Sequence, residues 1–312
     1  LTIEGRRAPG LFVAGWLATL VGAIVGFVGL LAGQSVAGAI LFIVGLAVLF
    51  GGLLLLGGSQ VVERGAAGLA YAGPSPILVF AATIVGLYLA VVAVGTPLQI
   101  LGVDLDGPAL ALLGVSIQAA VVVLILRLLV VGPGVLSWSD MGLRARLPAA
   151  LRELAYGAAF ALPVIVVTAI AINVLVTVFD STPESPLPPA GTSVGLALNL
   201  LAGAVIAPLY EELLFRGFAV TAWARVVTPA AAIVRTSILF AFAHNLGQGG
   251  ETFGQALGIV VVATAGRLPV ALVLGWVFVR RRSLWASVGL HAAFNAILLV
   301  VAETAFENLP SQ

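Results

Sequence analysis

Runs of about twenty apolar residues recur along the whole of this 312-residue chain. As helices rising 1.5 Å per residue, such runs are long enough to cross a hydrocarbon core about 30 Å thick. In that medium each backbone N–H and C=O must be satisfied within the structure, which leaves helices or closed barrels. The apolar runs are continuous rather than alternating, which excludes an outer-membrane barrel. The expected fold is therefore all-α, a polytopic bundle of transmembrane helices. Composition agrees: 61% of residues are hydrophobic, 9% are charged and the mean hydropathy is +1.20. Ordinary soluble domains carry about 25% charged residues.

Spans are expected near 11–32, 36–57, 76–101, 109–131, 154–178, 194–226, 229–247, 252–281 and 284–305, nine in all within a range of eight to ten. Gly22, Gly26, Gly29 and Gly33 have the small-residue spacing of closely packed membrane helices. The first run is too long for the core of a signal peptide and no small-residue cleavage site follows it, so it reads as a retained span. Arg6, Arg7, Arg64, Arg144, Arg146, Arg152 and Arg280 to Arg282 fall in one alternating set of loops. Asp104, Asp106, Asp180, Glu184 and Glu251 fall in the other. By the positive-inside rule the N-terminus is inside and the C-terminus outside, in a membrane expected to be a prokaryotic cytoplasmic one. Arg267 fits this scheme badly. It lies within the eighth span, beside Pro269, and suggests that this span is broken or re-entrant.

The expected division is 1–132 (N-terminal helices), 133–153 (a cytoplasmic amphipathic connector with Trp138 as an interfacial anchor) and 154–312 (the functional core). A net charge of +1 gives no reason to expect nucleic acid as a partner. All fourteen basic residues are Arg, which reads as compositional bias. With no cysteine there is neither a disulfide framework nor a thiol nucleophile.

Ionisable residues inside apolar spans are expensive, and are functional candidates for that reason. Three clusters occur in the last hundred or so residues. "YEELLFRGF" holds Glu211, Glu212 and Arg216, "FAFAHN" holds Phe240 and His244, and "HAAFN" holds His291 and Asn295. Glu212 and Arg216 are i and i+4 on one helix face, in the favourable acid-first order. Glu211 points about 100° away and is left to exchange a proton. Pro208 removes a helix hydrogen bond beside it. Between the sixth and seventh spans, "RVVTPA" is a turn with Thr228 as N-cap and Pro229 at the first helical position. Glu211 and His244 lie about fifteen residues either side of that turn, so a hairpin puts both at one depth, roughly 22 Å in. The same count puts His291 and Asn295 nearer the cytoplasmic end, about 11–17 Å in.

A carboxylate and an imidazole at one depth can polarise a water. A second His with an amide can donate to the oxyanion formed when that water attacks a carbonyl. This inventory suits amide-bond hydrolysis without a covalent nucleophile. Glu211, His244 and His291 could equally hold Zn²⁺ or another divalent metal, although the spacing is not the His-Glu-x-x-His of zinc proteases. Singly, each residue has a bland reading: a solvated Glu-Arg face, a packed His, an Asn that ties helices. Their conjunction at consistent depth sets them apart. Arg127, Asn173 and Asn199 lack nameable partners and are assigned to structure.

The three motifs, in this order, resemble the type II CAAX prenyl endopeptidase family of intramembrane proteases, also called CPBP or ABI proteins. The likeness covers about residues 193–305 and extends to "SLWASVGLHAAFN" and the lead-in "WSDMGLR". It implies an all-α core in which Glu211 and His244 activate water and His291 and Asn295 stabilise the oxyanion. Glu212, Arg216 and Phe240 would support the site. It also implies a membrane-bound peptide or protein substrate, with isoprenylated CAAX ends as the eukaryotic precedent, and leaves open a glutamate-type or a metal-dependent mechanism. The alternative is a non-catalytic membrane scaffold or bacteriocin-immunity-type protein of the same fold. A proton-coupled transporter would call for inverted repeats, and none is visible.

Overall fold

The computed structural model describes residues 5–32, 35–103, 107–144, 146–180, 187–246 and 252–307. Among these residues there are helices and no strands. They are α1 (Pro9–Leu31), α2 (Val36–Ala66), α3 (Pro76–Ile100), α4 (Pro108–Val131), α5 (Leu147–Ala158), α6 (Ala161–Phe179), α7 (Ser193–Ala224), α8 (Pro229–Ala243), α9 (Phe253–Arg281) and α10 (Leu284–Glu307). Eight segments are long and apolar enough to cross a membrane, Leu147–Phe179 counting as one, and α8 is a shorter ninth. The chain is an integral membrane protein with the expected helical architecture. Gly33, Asp104, Asp106, Glu184 and the loop from Gln248 to Glu251 lie outside the described residues.

The chain forms two compact units, Leu1–Asp106 with Ser116–Ser137, and Gly107–Val115 with Trp138–Gln312. In the first, Gly22, Gly26 and Gly29 are buried on α1 against α2. A Cβ at Gly22 would strike the backbone of Leu49, and one at Gly29 the backbone of Phe42. Glu63 Oε1 accepts from the N–H groups of Arg7 (2.9 Å) and Ala8 (3.0 Å), satisfying donors at the start of α1.

In the second unit α6, α9 and α10 share a core of Ala161, Val164, Val270, Leu274, Val277, Ala286, Leu290 and Phe294. Helix α5 crosses α10 closely, and an arginine–carboxylate fork ties it to α9. Arg281 Nη2 and Nε donate to Glu153 at 2.6 and 2.8 Å. Helix α9 runs through Pro269 without interruption, so the expected break is not there. Proline removes one N–H donor, and burial on both sides of the loss, at Val262, Ala263 and Gly266 before it and Val270, Ala271 and Leu274 after it, holds the helix continuous.

Two details set the depth of the polar residues. Thr228 caps α8, its Oγ1 accepting from Ala231 N at 3.3 Å with Pro229 at the first position, as expected. Yet α8 ends at Ala243, earlier than the expected 247. The start of α10 is covered by the segment before α5. Leu284 N donates to Gly142 O at 3.2 Å, and Ser283 and Leu284 are buried. Gly142 has φ +88, and a Cβ there would lie 2.7 Å from Leu284 N, so this turn requires glycine.

Candidate active site

Helix α7 carries the first motif and is not uniformly α-helical. Two wider, π-helical stretches, Leu201–Ile206 and Leu213–Val220, flank a short α segment, Ala207–Glu212. Such bulges occur often at functional sites. The first has a traceable cause and consequence. Ala207 N donates five residues back, to Ala202 O. In that register the next donor, to Gly203 O, would be residue 208, which is proline and has no N–H. Asn295 Nδ2, from α10, fills the gap and donates to Gly203 O at 2.7 Å.

Glu212 is wholly buried, and its Oε1 serves two donors, Arg216 Nη1 at 2.9 Å and His291 Nδ1 at 2.8 Å. Arg216 Nη2 donates to Ala271 O on α9 at 3.1 Å, and its guanidinium lies 4.5 Å from the Phe240 ring centroid. Phe240 also stacks near His244 (4.4 Å between centroids) and meets His291 edge-on (5.9 Å), so one aromatic ring spaces both imidazoles.

Glu211 points the other way round α7, as its position demands. Among the described residues its Oε2 is buried without a hydrogen bond, 3.5 Å from His244 Nε2 and 3.9 Å from His291 Nε2. Both imidazoles are oriented through Nδ1. His244 caps α8, and its Nδ1 lies 2.9 Å from Phe240 O. A carbonyl only accepts, so this nitrogen carries the proton and Nε2 of the neutral ring faces Glu211 as an acceptor. His291 Nδ1 likewise faces a carboxylate, Glu212. Exposure rises from Glu212 (0%) through Glu211 (13%) to His244 (27%), so the approach to Glu211 is from the His244 side.

The structure thus brings Glu211, Glu212, Arg216, Phe240, His244 and His291 into one cluster. Asn295 sits one turn from His291 on α10 with its amide on Gly203. His291 is level with Glu211 and Glu212 rather than shallower. The covered start of α10 and the wide turns of α7, which advance less per residue, account for the difference from a uniform 1.5 Å count. Asn173 Nδ2 donates to Ala169 O on its own helix at 2.8 Å, and Asn199 Nδ2 donates to Pro188 O at 3.0 Å. Among the described residues no three His, Asp or Glu side chains are arranged to hold a metal ion.

Three participants escaped sequence reasoning: Gly203 O, Ala271 O, and Asn245, whose Nδ2 donates to Thr264 Oγ1 at 2.6 Å. The first two are carbonyls with no side-chain signature. Asn245 was visible as the last letter of "FAFAHN".

Residues 193–297 match the model of one protein family, type II CAAX prenyl endopeptidase, Rce1-like. That segment is similar to the family. It contains all three motifs and amounts to about a third of the chain. The resemblance read from the motifs is borne out there, and it supports a membrane-associated protease of the CAAX type. No curated protein and no solved structure matches the chain. Helices α1 to α6 lie outside the Rce1-like segment.

Proposed function

We propose that this protein is an intramembrane endopeptidase that hydrolyses a peptide bond of a membrane-associated substrate, with Glu211 as the base. The observation that carries this reading is the buried Glu211 Oε2 facing the Nε2 atoms of two imidazoles whose Nδ1 atoms are already engaged. A water among the three donates one proton to Glu211 and the other to His244 Nε2. As Glu211 takes its proton, the water oxygen bonds to the substrate carbonyl carbon. The oxyanion that forms accepts from His291, when Nε2 carries a proton, and from the second N–H of Asn295. The C–N bond then breaks as Glu211 returns the proton to the leaving amine. Glu212 and Arg216 hold His291 in place, and residues 154–312 form the catalytic core. The membrane orientation proposed is N-terminus inside.

The test is cleavage of a membrane-peptide library, farnesylated CAAX peptides included, by reconstituted wild type and Glu211→Gln. Wild type should cleave, and the variant should be slower by about 10²–10⁴-fold, the usual worth of a general base. Activity should survive a zinc chelator. Equal rates in the two proteins would remove Glu211 as the base. Loss on chelation with recovery on added zinc would replace the water mechanism with a metal-dependent one.

A further inference from the structure

Helix α8 carries a charge that this reaction leaves unused. Its exposed side is the stripe Val234, Ile238 and Phe242, which suits contact with hydrocarbon. Arg235 lies beside that stripe and is exposed, six residues past Pro229 and about 9 Å along the helix. An ionisable group on the lipid side of a span is costly, so its charge calls for a partner. Among the described residues no carboxylate lies within ion-pair range of Arg235.

Its neighbours show the same surplus of positive charge. Ile233 lies over Gly275, and Asn245 Nδ2 reaches Thr264 Oγ1, so α8 and α9 run antiparallel. Counting from those two pairs puts Thr228, the cap of α8, beside Arg280. Arg280 and Arg282 are exposed there, as is Arg225 at the end of α7. None of the three has a carboxylate within ion-pair range among the described residues. Glu153 is already taken by Arg281, at 2.6 and 2.8 Å, and Asp140 faces Arg144 at 3.7 Å. In a helix each Cα–Cβ bond tilts toward the N-terminus. Arg235 therefore leans back along α8 toward these three arginines, its apolar stem lying along the exposed side.

Guanidinium groups at the head of an apolar stripe match a phosphate headgroup above its acyl chains. The planar fork of arginine fits phosphate oxygens bidentately. Four cations without carboxylate partners favour a lipid of net negative charge over a zwitterionic one, whose ammonium they repel. A free phosphate or an acidic peptide would use the arginines and leave Val234, Ile238 and Phe242 uncovered. We propose that Arg235, with Arg225, Arg280 and Arg282, forms a binding site for an anionic phospholipid whose acyl chain lies along the exposed stripe of α8. The stripe leads from Arg235 toward His244, which caps the same helix, so the bound lipid stands beside the open side of the candidate active site. This site does not depend on the endopeptidase reading.

Because the chain has no cysteine, a single introduced one reports on a single place. Full-length protein carrying Val234→Cys, labelled with a bimane fluorophore, is reconstituted in phosphatidylcholine bilayers. Rising fractions of phosphatidylglycerol or phosphatidylcholine with brominated acyl chains are added, since bromine quenches a fluorophore that it touches. Val166→Cys, on the exposed side of α6, is the reference. At position 234 brominated phosphatidylglycerol should quench at about fivefold lower mole fraction than brominated phosphatidylcholine, the worth of an arginine at an anionic lipid. At position 166 the two lipids should quench alike. Arg235→Gln should remove most of the preference, and Arg235→Lys should keep most of it. Equal quenching at position 234, an equal preference at position 166, or a preference that persists in Arg235→Gln overturns the proposal. Loss of the preference on adding inorganic phosphate or a polyglutamate peptide overturns the lipid assignment in favour of a soluble anion. If Arg235→Gln does not fold, Arg225→Gln should lower the preference, and its full persistence there overturns the site.

Discussion

Glu212 Oε1 stands between a guanidinium and an imidazole, 2.9 Å from one and 2.8 Å from the other, with no exposure to share the charge. Breaking a buried pair by removing one partner leaves an uncompensated charge and costs about 3–5 kcal/mol. Glu212→Gln should therefore lower stability by about that amount, seen as a reduced unfolding temperature in detergent. Replacing Glu212 and Arg216 together with apolar residues of similar volume should cost less than the single change. A Glu212→Gln protein as stable as wild type would show that the pair is not what holds His291. At the same scale, Glu211 differs from its neighbour by one position and about 100° of helix, and everything about its surroundings follows from that.

At the scale of the element, α7 depends on a proline. Pro208 leaves Gly203 O without a backbone partner in the wide register, and Asn295 supplies one across the interface. Asn295→Ala should cost about 1–3 kcal/mol for the orphaned carbonyl. In Pro208→Ala the helix can satisfy Gly203 O itself, so Asn295→Ala should cost less in that background. A double-mutant cycle of unfolding free energies measures this, and additive losses would break the link.

This contrast also shows what was legible beforehand. The spans follow from uninterrupted apolar runs, the α8 cap from Thr228 and Pro229, and the Glu212–Arg216 pair from i, i+4 spacing, because each is local. The π stretches and the carbonyls of Gly203 and Ala271 have no side-chain signal. The depth of α10 is set by Gly142, more than a hundred residues upstream, and Pro269 fails to break α9 because neighbouring helices pack around it. Local chemistry could name the polar residues, while their convergence depended on long-range contacts.

For the whole molecule, the absence of cysteine makes orientation directly measurable. The Arg-bearing loops should be inside. A single cysteine at Ala67, beside Arg64, should resist a membrane-impermeant maleimide in intact cells and react after lysis. One at Gly191 should react in both. The opposite pattern would invert the topology.

Helix α8 has fifteen residues, about 22 Å of rise, and its stripe of Val234, Ile238 and Phe242 is exposed. A hydrocarbon layer about 30 Å thick does not fit beside it unless the lipid thins or yields there. Acyl-chain length would thus enter the energetics of the proposed reaction. Short-chain lipids would match the end of α8 and keep His244 near the edge of the hydrocarbon, whereas long-chain or sterol-stiffened lipids would bury it. The surrounding membrane would in that sense line one side of the proposed site.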